Sequence, residues 1–176
     1  AVEIMSAKII APYFGNSIYV WAAVLATTLL GLACGYFIGG NYSLKKNPVK
    51  TLFFVSILGA VLTIILPFTS AFILGSTQGL GLQMGIIVAS FFVLFPIVFC
   101  FGMVSPLIIY LTSYIYQNSG KNASVVYTIS TIGGIFFALF TGLYLVTTLG
   151  LKISHFLIGL VLLLTSLACL LIFKRK

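Results

Sequence analysis

The chain has 176 residues, of which 61% are hydrophobic and 6% charged, against roughly a quarter charged in an ordinary soluble domain. That balance excludes a soluble globular protein, and five or six spans of about 20 residues each would use the whole length. The formal net charge of +8 rests on nine scattered Lys and Arg residues, most beside hydrophobic runs, which points to membrane topology and away from nucleic acid.

In chain order, the first hydrophobic run spans 1–11 and carries Glu3 and Lys8. It would make only about 16 Å of helix, so either apolar residues upstream complete the span or it is re-entrant. A run already under way at Ala1 is what a piece of a longer protein would show, and no cleavable signal peptide is visible. PYFG, at 12–15, is expected to break the helix, because proline removes a backbone donor and glycine tolerates turn geometry. Asn16 and Ser17 offer capping oxygens to the next helix. Tyr13, Tyr19 and Trp21 cluster at its entrance, as amphipathic rings do at a membrane interface.

The stretch 17–40 holds no charge, and Ala23, Thr27, Gly31, Gly35 and Gly39 recur along it at every fourth residue. That spacing stacks them on one helical face. Small residues there let another backbone come close, the main way helices associate in lipid. The polar link NYSLKKNPVK leads to a third span at 51–74 with Pro67 as a kink. The link STQGLGLQ leads to a fourth at 84–116, which would be about 50 Å long if straight, well beyond a hydrocarbon core of about 30 Å. Pro96 and Pro106 are therefore expected to bend it. After QNSGKN come a fifth span at 123–149, with a second small-residue stripe at Ser130, Gly134, Ala138 and Gly142, and a sixth at 153–173 before KRK.

The expected fold is an all-α polytopic transmembrane helix bundle of about six membrane segments, the first truncated. It forms one integral membrane domain over 1–176 with no soluble domain. The second and fifth helices are expected to grip each other through their two stripes. If links alternate sides, Lys45, Lys46, Lys50, Lys121, Lys174, Arg175 and Lys176 share one face and Lys8 and Lys152 the other. This asymmetry assigns the first group and the C-terminus to the cytoplasm.

Reactive groups are few. Glu3 is the only acid in the chain. It is either a cation or proton site with Lys8 as partner or competitor, or half of a helix-end ion pair whose lysine snorkels to the interface. His155, beside Lys152, reads as an interface residue on the non-cytoplasmic side. Ser105 and Ser130 lack the base and orienting acid that a nucleophile needs. Cys34, Cys100 and Cys169 lie apart in apolar helices without metal-ligand spacing, so no disulfide, metal or cofactor is expected. GLGLQMG, at 79–85, has Met84 in the third glycine position of a nucleotide fingerprint and no strand before it, and reads as a turn. Asn122-Ala-Ser124 fits a glycosylation sequon, yet the charge count puts it in the cytoplasm. Gly102-Met-Val-Ser-Pro106 marks a kink whose freed carbonyl either lines a polar cavity or shapes the bend.

The run from Glu3 through Lys8, Pro12-Tyr-Phe-Gly15 and Trp21, then Gly31-Leu-Ala-Cys-Gly35-Tyr-Phe-Ile-Gly39-Gly40, resembles the membrane part of the bacterial fused major facilitator/spermidine synthase family. Gly102-Met-Val-Ser-Pro106 and Tyr127-Thr-Ile-Ser130-Thr-Ile-Gly133-Gly134 are similar to its later signatures. The resemblance implies a bacterial inner-membrane protein. It also implies a cytoplasmic aminopropyltransferase domain beyond the last helix, which these residues do not contain, so no aminopropyl transfer is expected of them. Two functions follow as expectations. One is a non-catalytic accessory or assembly module that sits in the lipid bilayer against other membrane subunits, a separate soluble domain or a second copy. The other is a half-transporter for a small cationic solute such as a polyamine, using Glu3 and the kinks at Pro96 and Pro106.

Overall fold

The computed structural model describes residues 1–44, 47–116 and 119–174. Lys45, Lys46, Arg175 and Lys176 of the topology argument, and Gln117 and Asn118 of the QNSGKN link, lie outside them. The described residues form six α-helices: α1 (Val2–Phe14), α2 (Ile18–Ser43), α3 (Pro48–Thr77), α4 (Leu82–Tyr116), α5 (Ser119–Phe140) and α6 (Val146–Lys174). One 3-10 turn, Gln78–Leu80, ends α3, and a π-helical segment, Thr141–Leu145, joins α5 to α6. The described residues contain no strand.

Four runs are long and apolar enough to cross a membrane: Ile18–Ser43, Pro48–Leu80, Leu82–Ser113 and Gly120–Leu171. The expectation of six segments is not supported. With 13 residues, α1 is about 20 Å long and too short to cross. The last run is 52 residues long and takes in both α5 and α6, with a non-helical break inside it at Gly150.

Three glycines interrupt the helical path with nearly one backbone conformation: Gly15 and Gly81 at φ 80°, ψ 168°, and Gly150 at φ 76°, ψ 170°. A side chain is strained in that region, which explains glycine at all three positions. PYFG breaks the chain as expected, at its glycine: α1 runs through Pro12 to Phe14 and stops at Gly15. In α4 the helix continues through both Pro96 and Pro106. Ser154 ties the two sides of Gly150 together, its Oγ lying 3.1 Å from the Leu145 carbonyl and 2.6 Å from that of Gly150.

The hub is α4, which touches α1, α2, α3 and α5. The core it anchors holds Ile10 and Phe14 of α1, Val20 and Val24 of α2, Leu66 and Leu74 of α3, and Ile86, Val93, Leu94 and Ile97 of α4 itself. A second cluster gathers Val55, Cys100, Met103 and Leu107 at the other end. Phe37, Phe68 and Phe72 point outward, a placement that water penalises and lipid does not.

Candidate functional site

The small-residue stripe of α2 is buried at Thr27, Gly31, Gly35 and Gly39 and half-buried at Ala23. It forms the most extensive helix–helix seam among the described residues, and its partner is α4. A Cβ added to Gly31 would lie 3.2 Å from Val98 Cβ. On Gly35 it would lie 2.6 Å from the Phe99 carbonyl oxygen and 2.8 Å from Gly102 Cα. On Gly39 it would lie 2.8 Å from Met103 Cα and 2.9 Å from Pro106 Cγ. Partners advance with the stripe, so the two helices run parallel with backbones in contact. Gly102 supplies the matching hollow, and Pro106 closes its far end.

The expected pairing of α2 with α5 is therefore corrected. Ser130 and Gly134 are exposed and Ala138 half-buried. A Cβ on Gly133 or Gly134 would meet nothing within 4 Å, and one on Gly142 would meet only Ile4 Cδ1, at 3.9 Å. The physical reason lies in α4: a lone glycine among larger side chains suffices as the groove when the opposite helix brings three. A further seam went unread in the sequence. A Cβ on Gly159 of α6 would collide with Ile64 Cγ1 of α3 and lie 3.1 Å from the Ala60 carbonyl oxygen. It is isolated in an apolar run, with no four-residue repeat to mark it.

The ionisable pair does not form as one unit. Glu3 is half-buried with its Oε1 enclosed and without a hydrogen-bond partner, whereas Lys8 is exposed. Five residues of helix separate their directions by about 140°, so they leave α1 on different faces. His155 is also corrected. It is fully buried rather than interfacial, its Nδ1 lies 2.9 Å from the Leu151 carbonyl oxygen, and its Nε2 has no partner. A carbonyl only accepts, so Nδ1 carries the proton of that bond, while Nε2 is left without a partner.

Hydroxyls divide the same way. Thr28, Thr63, Ser70, Thr77, Thr112 and Thr165 each bond back to a carbonyl three or four residues earlier, the usual way a hydroxyl is satisfied in an apolar helix. Ser6, Ser90 and Thr141 are completely buried and make no such bond. Thr141 opens the π-helical segment, a geometry frequent at functional positions. The three cysteines are free thiols, Cys34 half-buried, Cys100 buried and Cys169 exposed. No group of three His, Cys, Asp or Glu residues is assembled among the described residues. Comparisons with protein-family models, with curated proteins and with solved structures find no match to this chain.

Proposed function

We propose that this protein is a non-catalytic membrane module that docks onto another membrane subunit through the outer face of α5 and α6. The observation that carries this reading is the contrast in burial. In an 18-residue apolar stretch of α4 half of the residues are buried within the protein, but only 17% in the corresponding stretch of the α5–α6 run, although α5 carries Gly133, Gly134 and Ala138, residues of the type that lipid-embedded helices use to approach one another. The aromatic row Phe136, Phe140 and Tyr144, with successive rings 6.0 and 5.7 Å apart, stiffens that face. The resemblance to the membrane part of spermidine synthase-like proteins fits an accessory component in a bacterial inner membrane with a cytoplasmic C-terminus, and the Lys asymmetry supports that orientation. No reaction is assigned.

The test is purification in mild detergent of the wild-type chain and of Gly134→Leu. Other membrane subunits should accompany the wild type and be lost from the variant, with the variant's own unfolding unchanged. A wild-type chain that runs only as a homodimer would count against an accessory role. A second reading, a half-transporter for a small cationic solute such as a polyamine, draws on the enclosed and unpartnered oxygen of Glu3. Uptake of labelled putrescine into proteoliposomes, abolished by Glu3→Gln, is what it requires.

A further inference from the structure

The ends of α1 and α3 meet the start of α4 at one end of the bundle, because a Cβ on Gly85 would lie 2.7 Å from the Thr77 carbonyl oxygen and 2.8 Å from the Phe14 ring. The opposite end is the basic one. Along α2 the exposed rings of Trp21 and Tyr42 are separated by about 32 Å of helix, which matches a hydrocarbon core of about 30 Å. Tyr42 thus marks the edge of the apolar slab on the side away from the turns. Gly35 faces Phe99 and Gly102 of α4, and Gly59 faces Cys100 and Phe101, so the two glycines share a level. From that level Tyr42 is seven residues on, about 10 Å, and Lys50 of the antiparallel α3 is nine residues back, about 14 Å in the same direction. Beyond Gly102, α4 continues for about 21 Å to its end at Tyr116, and Lys121 lies on the first turn of α5. Both lysines are exposed, just past the edge that Tyr42 marks, where lipid phosphates stand.

No acid of the chain can neutralise them. Nine Lys and Arg residues stand against a single carboxylate, Glu3. Glu3 is eleven residues before Phe14, about 16 Å from the turn end, whereas Lys50 is twenty-seven residues before Thr77, about 40 Å from it. The difference in level, about 24 Å, is some three times the Debye length of about 8 Å at physiological salt. In sequence, Lys45, Lys46, Arg175 and Lys176 adjoin the same helix ends. Lys50 and Lys121 also occupy the first turns of α3 and α5, which hold no acidic residue. The helix dipole is already positive there, so a lysine adds to the local potential and brings the helix no stability. An uncompensated positive end at this depth meets one abundant counter-charge, the phosphate of an anionic lipid, which a lysine near the surface favours by about fivefold.

We propose that the end of the bundle opposite the glycine turns is a docking surface for anionic phospholipid headgroups, held by Lys50 and Lys121. Each ammonium group donates charge-assisted hydrogen bonds to phosphate oxygens. Lysine acts as a point charge without the fixed fork of arginine, so the surface selects headgroup charge and is indifferent to headgroup shape. Each lysine meets its own lipid, and the two need not lie close together. Because both are exposed, salt weakens the attraction. This surface is independent of the docking role of α5 and α6.

The probes are phosphatidylglycerol and phosphatidylcholine of equal chain length, one anionic and one zwitterionic. Native mass spectrometry of the detergent-solubilised chain resolves the binding constant for the first molecule of each. Phosphatidylglycerol should bind at least about fivefold more tightly. Lys50→Gln and Lys121→Gln should each weaken its binding by about two- to fivefold and leave phosphatidylcholine unchanged, whereas Lys50→Arg and Lys121→Arg should keep the preference. Lys152→Gln removes an exposed lysine at the turn end and should change the preference by less than either. Raising the ionic strength to about 1 M, where the Debye length is about 3 Å, should bring the two constants together. Equal constants for the two lipids in wild type, or a preference that survives both glutamine variants, would overturn the proposal. An equal loss in Lys152→Gln would do the same, since the preference would then follow net charge and not this end of the bundle.

Discussion

Gly35→Ala adds one methyl group where the α2–α4 seam is tightest. The built Cβ sits 2.6 Å from the Phe99 carbonyl oxygen, so it falls about 0.8 Å short of ordinary contact at 3.4 Å. The obstacles are the Phe99 and Gly102 backbones, which cannot swing aside, and the helices themselves must part. A radial gap of about 0.5–1 Å forfeits a quarter to a half of the dispersion attraction across it, and between helices in lipid that attraction is the chief adhesive. Overpacking of this kind costs about 1–3 kcal/mol. Gly40→Ala is the matched control. It lies on the same helix with nothing within 4 Å, and alanine's better helix propensity works in its favour by up to about 1 kcal/mol. Unfolding in mixed micelles, read by the emission of Trp21, the sole tryptophan, gives both values. If Gly35→Ala unfolds no more readily than wild type, or if Gly40→Ala loses as much, the seam is not what holds α2 in place.

Other perturbations test other parts of the fold. Gly81→Ala and Gly150→Ala meet open space but must adopt positive φ, so each should lose about 1–3 kcal/mol through backbone strain alone, measured in the same unfolding assay. Gly159→Ala collides with Ile64 and should destabilise by about 1–3 kcal/mol. Ile64→Ala in that background should recover part of the loss, a coupling that a double-mutant cycle reads directly. Asn16→Ala removes an exposed hydrogen bond of 3.2 Å from Trp21 Nε1 and should change stability by no more than about 0.5 kcal/mol, while shifting tryptophan emission.

Much of this architecture was legible in the residues. The four-residue step in α2 identified its buried face correctly, because close approach needs small residues in register and nothing else in the helix offers them. The partner was not legible. Gly102 is one glycine among Phe99, Met103 and Val98, and only the fold shows that one hollow matches a three-glycine ridge. The similar stripe on α5 is exposed because periodicity states what a face permits and is silent on what covers it. Of the three turn glycines, Gly15 and Gly81 sit in segments that read as breaks, and Gly150 falls in the gap expected between 149 and 153. The π-helical segment left no mark, since Thr-Gly-Leu-Tyr-Leu suits an ordinary helix equally well. His155 was misplaced for a related reason. Lys152 pulls a reading toward the interface, whereas His155, on the next turn and about 60° round the helix from it, is buried.

The position of α4 bears on how the chain assembles during synthesis. Of the elements made before it, α2 and α3 find their principal neighbour in a helix that has not yet left the ribosome, and α1 touches that helix as extensively as it touches α2. Until residues 98–106 arrive, the cleft along Gly31, Gly35 and Gly39 has only lipid against it and stands open to any passing helix. Insertion of α4 would thus be the event that converts three loosely tethered segments into a folded unit. A nascent chain halted before Leu82 should be the form most readily seized by insertion chaperones or membrane proteases.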